Sequence, residues 1–259
     1  MLDEIVLTKQ QEVEAAQRRV PLDDLKARLS GHLSERNFRK AISVPGKLSL
    51  IAEIKRRSPS KGMLRERFDP VSLAQTLQEA GAAALSVLTD EHYFGGHLEF
   101  LRDAKHFTEI PVLRKDFIVD PYQVYEAVFY EADAVLLIVR ILTEDLLIQC
   151  MQAADTAGVE SLVEVHSEAE VKLALSLGAH VIGINQRDLR TFQVDPTLLE
   201  KLIPKIPPGK IIVAESGIQS AEDVRRMKRL GVHAILVGEA LMTAPNPAEK
   251  VKELFAGTW

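Results

Sequence analysis

The sequence predicts a (β/α)8 barrel with an N-terminal helical extension, and three observations predict it. Eight short, β-rich apolar runs recur along the chain, starting about 20–35 residues apart and alternating with stretches of helical periodicity. The helical stretches open on capping residues and close on glycine, as crossover helices between parallel strands should. No Gly-x-Gly-x-x-Gly turn follows the first strand, so the usual mark of an open doubly wound sheet is missing, and eight units close naturally into a barrel.

Within an N-terminal extension over residues 1–46, residues from about 3 to 41 read as helices without strands. Lys9-Gln10-Gln11-Glu12 alternates with Val6, Val13 and Ala16 at helical spacing, and Pro21-Leu22-Asp23-Asp24-Leu25 restarts a second segment. Phe38-Arg39-Lys40-Ala41-Ile42 then leads into the Val44-Pro45-Gly46 turn. This extension is expected to cap a barrel end or, in a sharper reading, to form part of a substrate lid. Strands are expected at 48–55, 83–88, 111–115, 134–139, 161–165, 181–185, 210–214 and 234–237. Asp69-Pro70 and Asp120-Pro121 place an N-cap before a proline at the first helical position. Ser167-Glu168-Ala169-Glu170 and Ser220-Ala221-Glu222-Asp223 follow the capping-box pattern, and Gly81, Gly158, Gly178 and Gly231 stand where helices should stop. With no internal repeat and no low-complexity linker, residues 1–259 are expected to form one barrel domain.

Bulk composition narrows the partners. A net charge of −5 gives no electrostatic reason for nucleic acid to bind, so any attraction for an anion must be local. The single cysteine, Cys150, lies on an apolar helical stretch and can form neither a disulfide frame nor a zinc site. Met1-Leu2-Asp3-Glu4 is acidic where a secretory signal would be basic, and no apolar run reaches membrane-spanning length. A cytoplasmic enzyme without membrane contact is expected. The lack of coiled-coil heptads favours a monomer.

The chemistry is concentrated at the strand ends, where barrels of this kind keep their active sites. In Ile51-Ala52-Glu53-Ile54-Lys55 a carboxylate and an ammonium, two positions apart, leave the same face of a core strand. Such charges are costly unless paired or used. The third strand ends Arg114-Lys115-Asp116-Phe117, the fifth carries Glu164 between valines, and the sixth ends Asn185-Gln186-Arg187-Asp188. The seventh ends Glu215-Ser216-Gly217 and the eighth Gly238-Glu239, whereas the fourth is wholly apolar around Leu136. Two lysines and two glutamates converging on one mouth would make an acid–base site. Gly217 and Gly238 fall in the loops after strands seven and eight, where backbone N–H groups commonly hold a phosphate. There Glu239 should contribute its N–H and turn its side chain away. Aromatics beside the glycine pair in His92-Tyr93-Phe94-Gly95-Gly96-His97 suit stacking on an aromatic substrate. Asp116 and Asp188 are candidates to orient the neighbouring lysine and arginine. His92, His97 and His166 lack metal-site spacing, and at least two of them are expected at the surface.

These residues resemble the indole-3-glycerol phosphate synthases. The resemblance rests on Ile51-Ala52-Glu53-Ile54-Lys55-Arg56-Arg57-Ser58-Pro59-Ser60-Lys61-Gly62, Leu113-Arg114-Lys115-Asp116-Phe117-Ile118 and Gly183-Ile184-Asn185-Gln186-Arg187-Asp188-Leu189, with Val213-Ala214-Glu215-Ser216-Gly217-Ile218 near the end. It runs from about Leu2 to Leu254 and includes the N-terminal helices. It implies ring closure, decarboxylation and dehydration of 1-(2-carboxyphenylamino)-1-deoxyribulose 5-phosphate, a phosphorylated small molecule, without cofactor or metal. By resemblance Lys115 is the general acid, while Lys55 holds the carboxylate or phosphate side of the substrate and contributes a second proton. Glu164 and Glu53 are both candidates for the dehydration base. Asn185, Glu215 and Ser216 would fix substrate hydroxyls, and Arg187 and Ser58 would engage anionic groups. Phe94, Phe117 and Leu136 would pack the aromatic ring. The alternatives are a phosphoribosyl isomerase on the same barrel, which would use an aspartate or cysteine acid–base pair, and a catalytically idle phosphate-binding barrel, which would have lost one of Glu53, Lys55, Lys115 or Glu164.

Overall fold

A computed structural model describes residues 1–29 and 36–258. Residues 30–35 of the expected helical extension, and Trp259 at the end of the expected domain, lie outside the described residues. The eight expected strands are β1 (Ser49–Ile54), β2 (Ala84–Leu88), β3 (Val112–Lys115), β4 (Ala134–Ile138), β5 (Glu160–Val165), β6 (Val181–Asn185), β7 (Ile211–Glu215) and β8 (Ala234–Val237). They pair in parallel around a closed barrel, with β1 returning to β8 at Ile51 opposite Leu236. β1 is one residue shorter at each end than the 48–55 expected. β7 is displaced one residue forward, so Glu215 belongs to the strand itself.

Side-chain alternation along each strand sorts the sequence into two cores. Ile51, Leu113, Leu136, Leu162, Val181, Val213 and Leu236 fill the barrel interior. Their neighbours Ala52, Val112, Val135, Val163, Ile182, Ala214 and Ile235 face the surrounding helices. Counting in twos toward the carboxyl end of each strand then gives Glu53 and Lys55, Lys115, Glu164, Asn185, Glu215 and Gly238. The polar groups at the mouth continue the apolar column beneath them. This is why these charges are inside.

The expected caps form with two departures, the first being that Ser167 accepts the N–H of Glu170 while the Glu170 carboxylate takes the N–H of His166 and leaves that capping box open. Asp69 accepts the N–H of Val71 at the start of helix Pro70–Glu79, and Ser220 with Asp223 completes a capping box. Helix Tyr122–Phe129 begins one residue later than Asp120-Pro121 suggests: Pro121 is its N-cap, and Asp120 accepts from the N–H of Tyr122 at 2.7 Å. Cys150 is buried on helix Glu144–Ala157. Among the described residues no helix is long and apolar enough to cross a membrane.

The N-terminal extension reaches both ends of the barrel. Helix Leu2–Arg19 lies by the mouth, with Leu2 and Ile5 buried in the interior cluster that includes Phe117. Its Lys9 is buried and ion-paired to Asp90 at 2.9 Å and Asp116 at 3.1 Å, just beyond β2 and β3. Helix Phe38–Ile42 serves the opposite end: Phe38 and Ile42 are fully buried there, and Arg39 meets Glu160 at the start of β5 at 3.1 Å. One segment thus closes the bottom of the barrel and walls its top.

Candidate active site

The mouth opens into a cleft of about 1020 Å³ counted out to solvent. Every residue expected to act in catalysis or binding lines it: Glu53, Lys55, Ser58, Phe94, Lys115, Phe117, Leu136, Glu164, Asn185, Arg187, Glu215, Ser216, Gly217, Gly238 and Glu239. Positions as far apart as 53 and 239 therefore share one space.

Lys115 sits at the centre of its charge. Its Nζ lies 2.6 Å from Glu215 Oε2 and 3.3 Å from Glu164 Oε2, and both carboxylates are buried. Burial alone would lower the pKa of Lys115, but Glu215, Glu164 and Glu53 outweigh it and raise it, so the ammonium stays charged. Two carboxylates cannot both be cheaply ionised around one cation. Burial pushes Glu215 up to about 7, against the pull of Lys115 and with the repulsion of Glu164 adding to it. Burial would also raise Glu164, but Lys115 and His166 reverse that and hold it below the usual carboxylate range. The site therefore divides its carboxylates into one that is ionised and one that holds a proton near neutrality.

A second pair stands apart from the first. Lys55 Nζ and Glu53 Oε1 are 2.5 Å apart, as their shared strand face predicts. Glycines make room for these glutamates. A Cβ on Gly238 would collide with Glu53 Oε1, and one on Gly183 with Glu215 Oε1. Gly238, expected in the sequence only as a phosphate hook, thus has a packing duty that sequence reasoning missed. Gly183 has the same packing duty toward Glu215. Its signal was a glycine in the middle of an otherwise β-branched strand.

Ser216 and Gly217 both take left-handed backbone, at φ 64° and 73°. Such a conformation in a non-glycine residue is strained and is typical of sites where function sets the geometry. Gln186 Nε2 donates to the Ser216 carbonyl at 2.7 Å and holds the turn. A Cβ on Gly217 would press on Val194 Cγ1 at 2.9 Å. Glu239 turns its carboxylate onto Arg187 at 3.3 Å and Lys61 at 3.9 Å. Two cations thus offset the Glu239 charge at this end of the cleft. The opposite wall is apolar. Phe94 and Phe117 stack obliquely, with centroids 5.9 Å apart and planes at 37°, and Leu136, Ile138 and Leu236 lie below.

Asp116 and Asp188 do not ion-pair with the neighbouring Lys115 and Arg187 as expected. Asp116 pairs with Lys9 and Arg114, and Asp188 with Arg140 at 2.8 Å. Strand alternation is the reason for the first: Arg114 and Asp116 share the outward parity, while Lys115 between them points in. His92 and His97 are exposed, as expected of two of the three histidines, but His166 is buried behind Glu164. Among the described residues no cluster of three or more His, Cys, Asp or Glu side chains is arranged to hold a metal ion.

Taken together, fold and mouth define a (β/α)8-barrel enzyme whose mouth gathers lysines and carboxylates beside an aromatic wall. Comparison with known proteins narrows this. The family model described as indole-3-glycerol phosphate synthase matches residues 2–254, and the chain belongs to that family. An indole-3-glycerol phosphate synthase of Chromobacterium violaceum is 45% identical over 98% of this chain and 97% of its own. One of Acetivibrio thermocellus is 42% identical over 99% of each. Among solved structures, a 3-hexulose-6-phosphate synthase superposes with a TM-score of 0.64 at 17% identity, covering 82% of this chain and 100% of that one. Thiamine phosphate pyrophosphorylase from Pyrococcus furiosus gives 0.60 at 21%, over 84% and 96%. At such identities these two share the fold alone.

Proposed function

We propose that this cleft performs the family's reaction with Lys115 as general acid: 1-(2-carboxyphenylamino)-1-deoxyribulose 5-phosphate becomes indole-3-glycerol phosphate, losing CO₂ and water. The observation that carries the assignment is the Lys115 ammonium, held charged between the buried carboxylates of Glu164 and Glu215 at the centre of the mouth. The aromatic carbon that bears the carboxylate attacks the C2′ carbonyl, and Lys115 delivers a proton to the developing oxyanion. The C–CO₂ bond then breaks, and its electron pair returns to the iminium-like ring, which serves as its own electron sink. Lys55 protonates the departing C2′ hydroxyl with Glu53 orienting it, and ionised Glu164 takes the proton from C1′ as the indole double bond forms. Two protons reach oxygen and one leaves carbon, so one net proton comes from solvent.

Binding follows the lining of the cleft. Phe94, Phe117 and Leu136 take the aromatic ring, and Asn185, Glu215 and Ser216 the hydroxyls. Ser58 and Arg187 serve the anionic groups. The phosphate lies at Gly217, Gly238 and the N–H of Glu239, with Lys55 within reach of the anionic side. Gly217→Asp is expected to raise KM for the substrate at least tenfold, roughly the 1.4 kcal/mol or more of an added like charge; an unchanged KM would move the phosphate elsewhere. Glu53 is the other candidate base. A pH–rate comparison separates the two, because the acid limb of kcat should disappear in Glu164→Gln and persist in Glu53→Gln. The opposite pattern would exchange their roles. The same reading takes the enzyme as a monomer in the cytosol, which light scattering of the purified chain tests for its first half.

A further inference from the structure

We propose that His166 is a positioning residue for Glu164, its imidazolium clamped between Glu164 and Glu170 so that the Glu164 carboxylate keeps one orientation and one charge. His166 lies two residues beyond Glu164 and therefore on the same side of the chain. It is buried, at 8% exposed. Its Nε2 faces Glu164 Oε1 at 3.4 Å and its Nδ1 faces Glu170 Oε2 at 3.5 Å. Glu164 Oε1 and both ring nitrogens are buried, and none completes a hydrogen bond of normal geometry among the described residues. A neutral imidazole carries one N–H and can serve only one of two carboxylates. With an acceptor on each side, only the doubly protonated ring satisfies both.

The clamp is anchored from behind. Glu170 Oε2 also accepts the backbone N–H of His166 at 2.6 Å, which locks the strand end to helix Glu168–Ser176. Its other oxygen accepts from Arg140 Nε at 3.2 Å, and Arg140 Nη1 donates to Asp188 Oδ2 at 2.8 Å. Asp188 in turn accepts the N–H groups of Arg190 and Thr191 and so shapes the loop that carries Arg187. An unbroken chain of charges therefore runs from Lys115 through Glu164, His166, Glu170 and Arg140 to the β6 loop. The charged groups facing His166 are Glu164 on its own strand, Glu170 on the next helix and Arg140 on the turn after β4. Burial and Arg140 disfavour the imidazolium, and the two carboxylates outweigh them, so its pKa is raised.

The catalytic consequence rests on the reading of Glu164 as base; the coupling itself does not. Imidazole nitrogen resonances followed by NMR against pH, with His166 assigned through His166→Gln, are expected to titrate above the ordinary value of about 6.5. In Glu164→Gln the His166 pKa should fall by about one unit or more, the effect of losing an opposite charge at this distance; Glu170→Gln should lower it likewise. A His166 pKa unmoved by Glu164→Gln overturns the proposal, whatever the activity of that variant. In His166→Gln, the acid limb of kcat should move up by about one pH unit with KM unchanged, because Glu164 loses its cation. A purely structural role would lower activity evenly across pH, and that result also overturns the proposal. Should the NMR coupling hold while Glu164→Gln keeps full turnover, the base assignment fails and the clamp stands.

Discussion

Lys115→Ala is expected to lower kcat by roughly 10²–10⁴-fold, the worth of a positioned general acid, with a much smaller change in KM. The reason lies in its setting. Lys115 is held charged by Glu215 at 2.6 Å and Glu164 at 3.3 Å at the centre of the cleft. Its removal takes away both the proton and the positive charge that the oxyanion meets. It also takes the shared cation from Glu164 and Glu215, so the pKa of Glu164, the carboxyl the site keeps ionised, rises and less of the base is charged. Steady-state turnover with the carboxyphenylamino substrate, read by indole fluorescence and alongside circular dichroism of the variant, checks this. Turnover within a few-fold of the native enzyme, in a folded variant, would remove Lys115 from the chemistry.

Lys9→Met is expected to cost about 3–5 kcal/mol of stability, the usual penalty for removing one partner of a buried ion pair. The Lys9 side chain is 4% exposed and meets Asp90 and Asp116, themselves 0% and 2% exposed. Methionine fills the volume but leaves Asp90 without this cation and Asp116 with Arg114 alone. In a chain of 259 residues this corresponds to a loss of roughly 6–20 °C in Tm. The damage should extend to the cleft. Asp90 caps the short helix Glu91–Phe94, and Asp116 accepts the N–H of Phe117, so both aromatic walls are tied to the same cluster. The acid behaviour is fixed in sign. Burial would raise Asp116, yet Lys9 and Arg114 hold it down to about 2, against about 3.9 in an unfolded chain. Its contribution is therefore whole above about pH 4 and lost as pH falls toward 2. Lys9→Met should lose stability less steeply over that window. A denaturant midpoint within the error of the native protein would show the cluster to be energetically idle.

The barrel is legible in the sequence because its signals are local. Apolar runs such as Val135-Leu136-Leu137-Ile138, caps such as Ser220 with Asp223 and a closing glycine such as Gly158 each act within a few residues of chain. The site is legible for a related reason: alternation puts Glu53 and Lys55 on one face, and the barrel rule puts all strand ends on one rim. Less of the second layer can be read. Asp116 looks like a partner for adjacent Lys115 but binds Lys9, more than a hundred residues earlier, because parity sends it outward. Which of His92, His97 and His166 is the buried one cannot be read until helix Glu168–Ser176 brings Glu170 to the His166 ring.

Short-range periodicity was enough to dictate the strand and helix order, the inward column on each strand and the residues that reach the mouth. Which charge meets which was settled in three dimensions alone: Lys115 between Glu164 and Glu215, Arg187 against Glu239, Lys9 beneath the aromatic wall, and Gly238 hollowed for Glu53. Those pairings depend on closing β1 onto β8, and the closure brings together groups whose separation along the chain carries no trace of their separation in space.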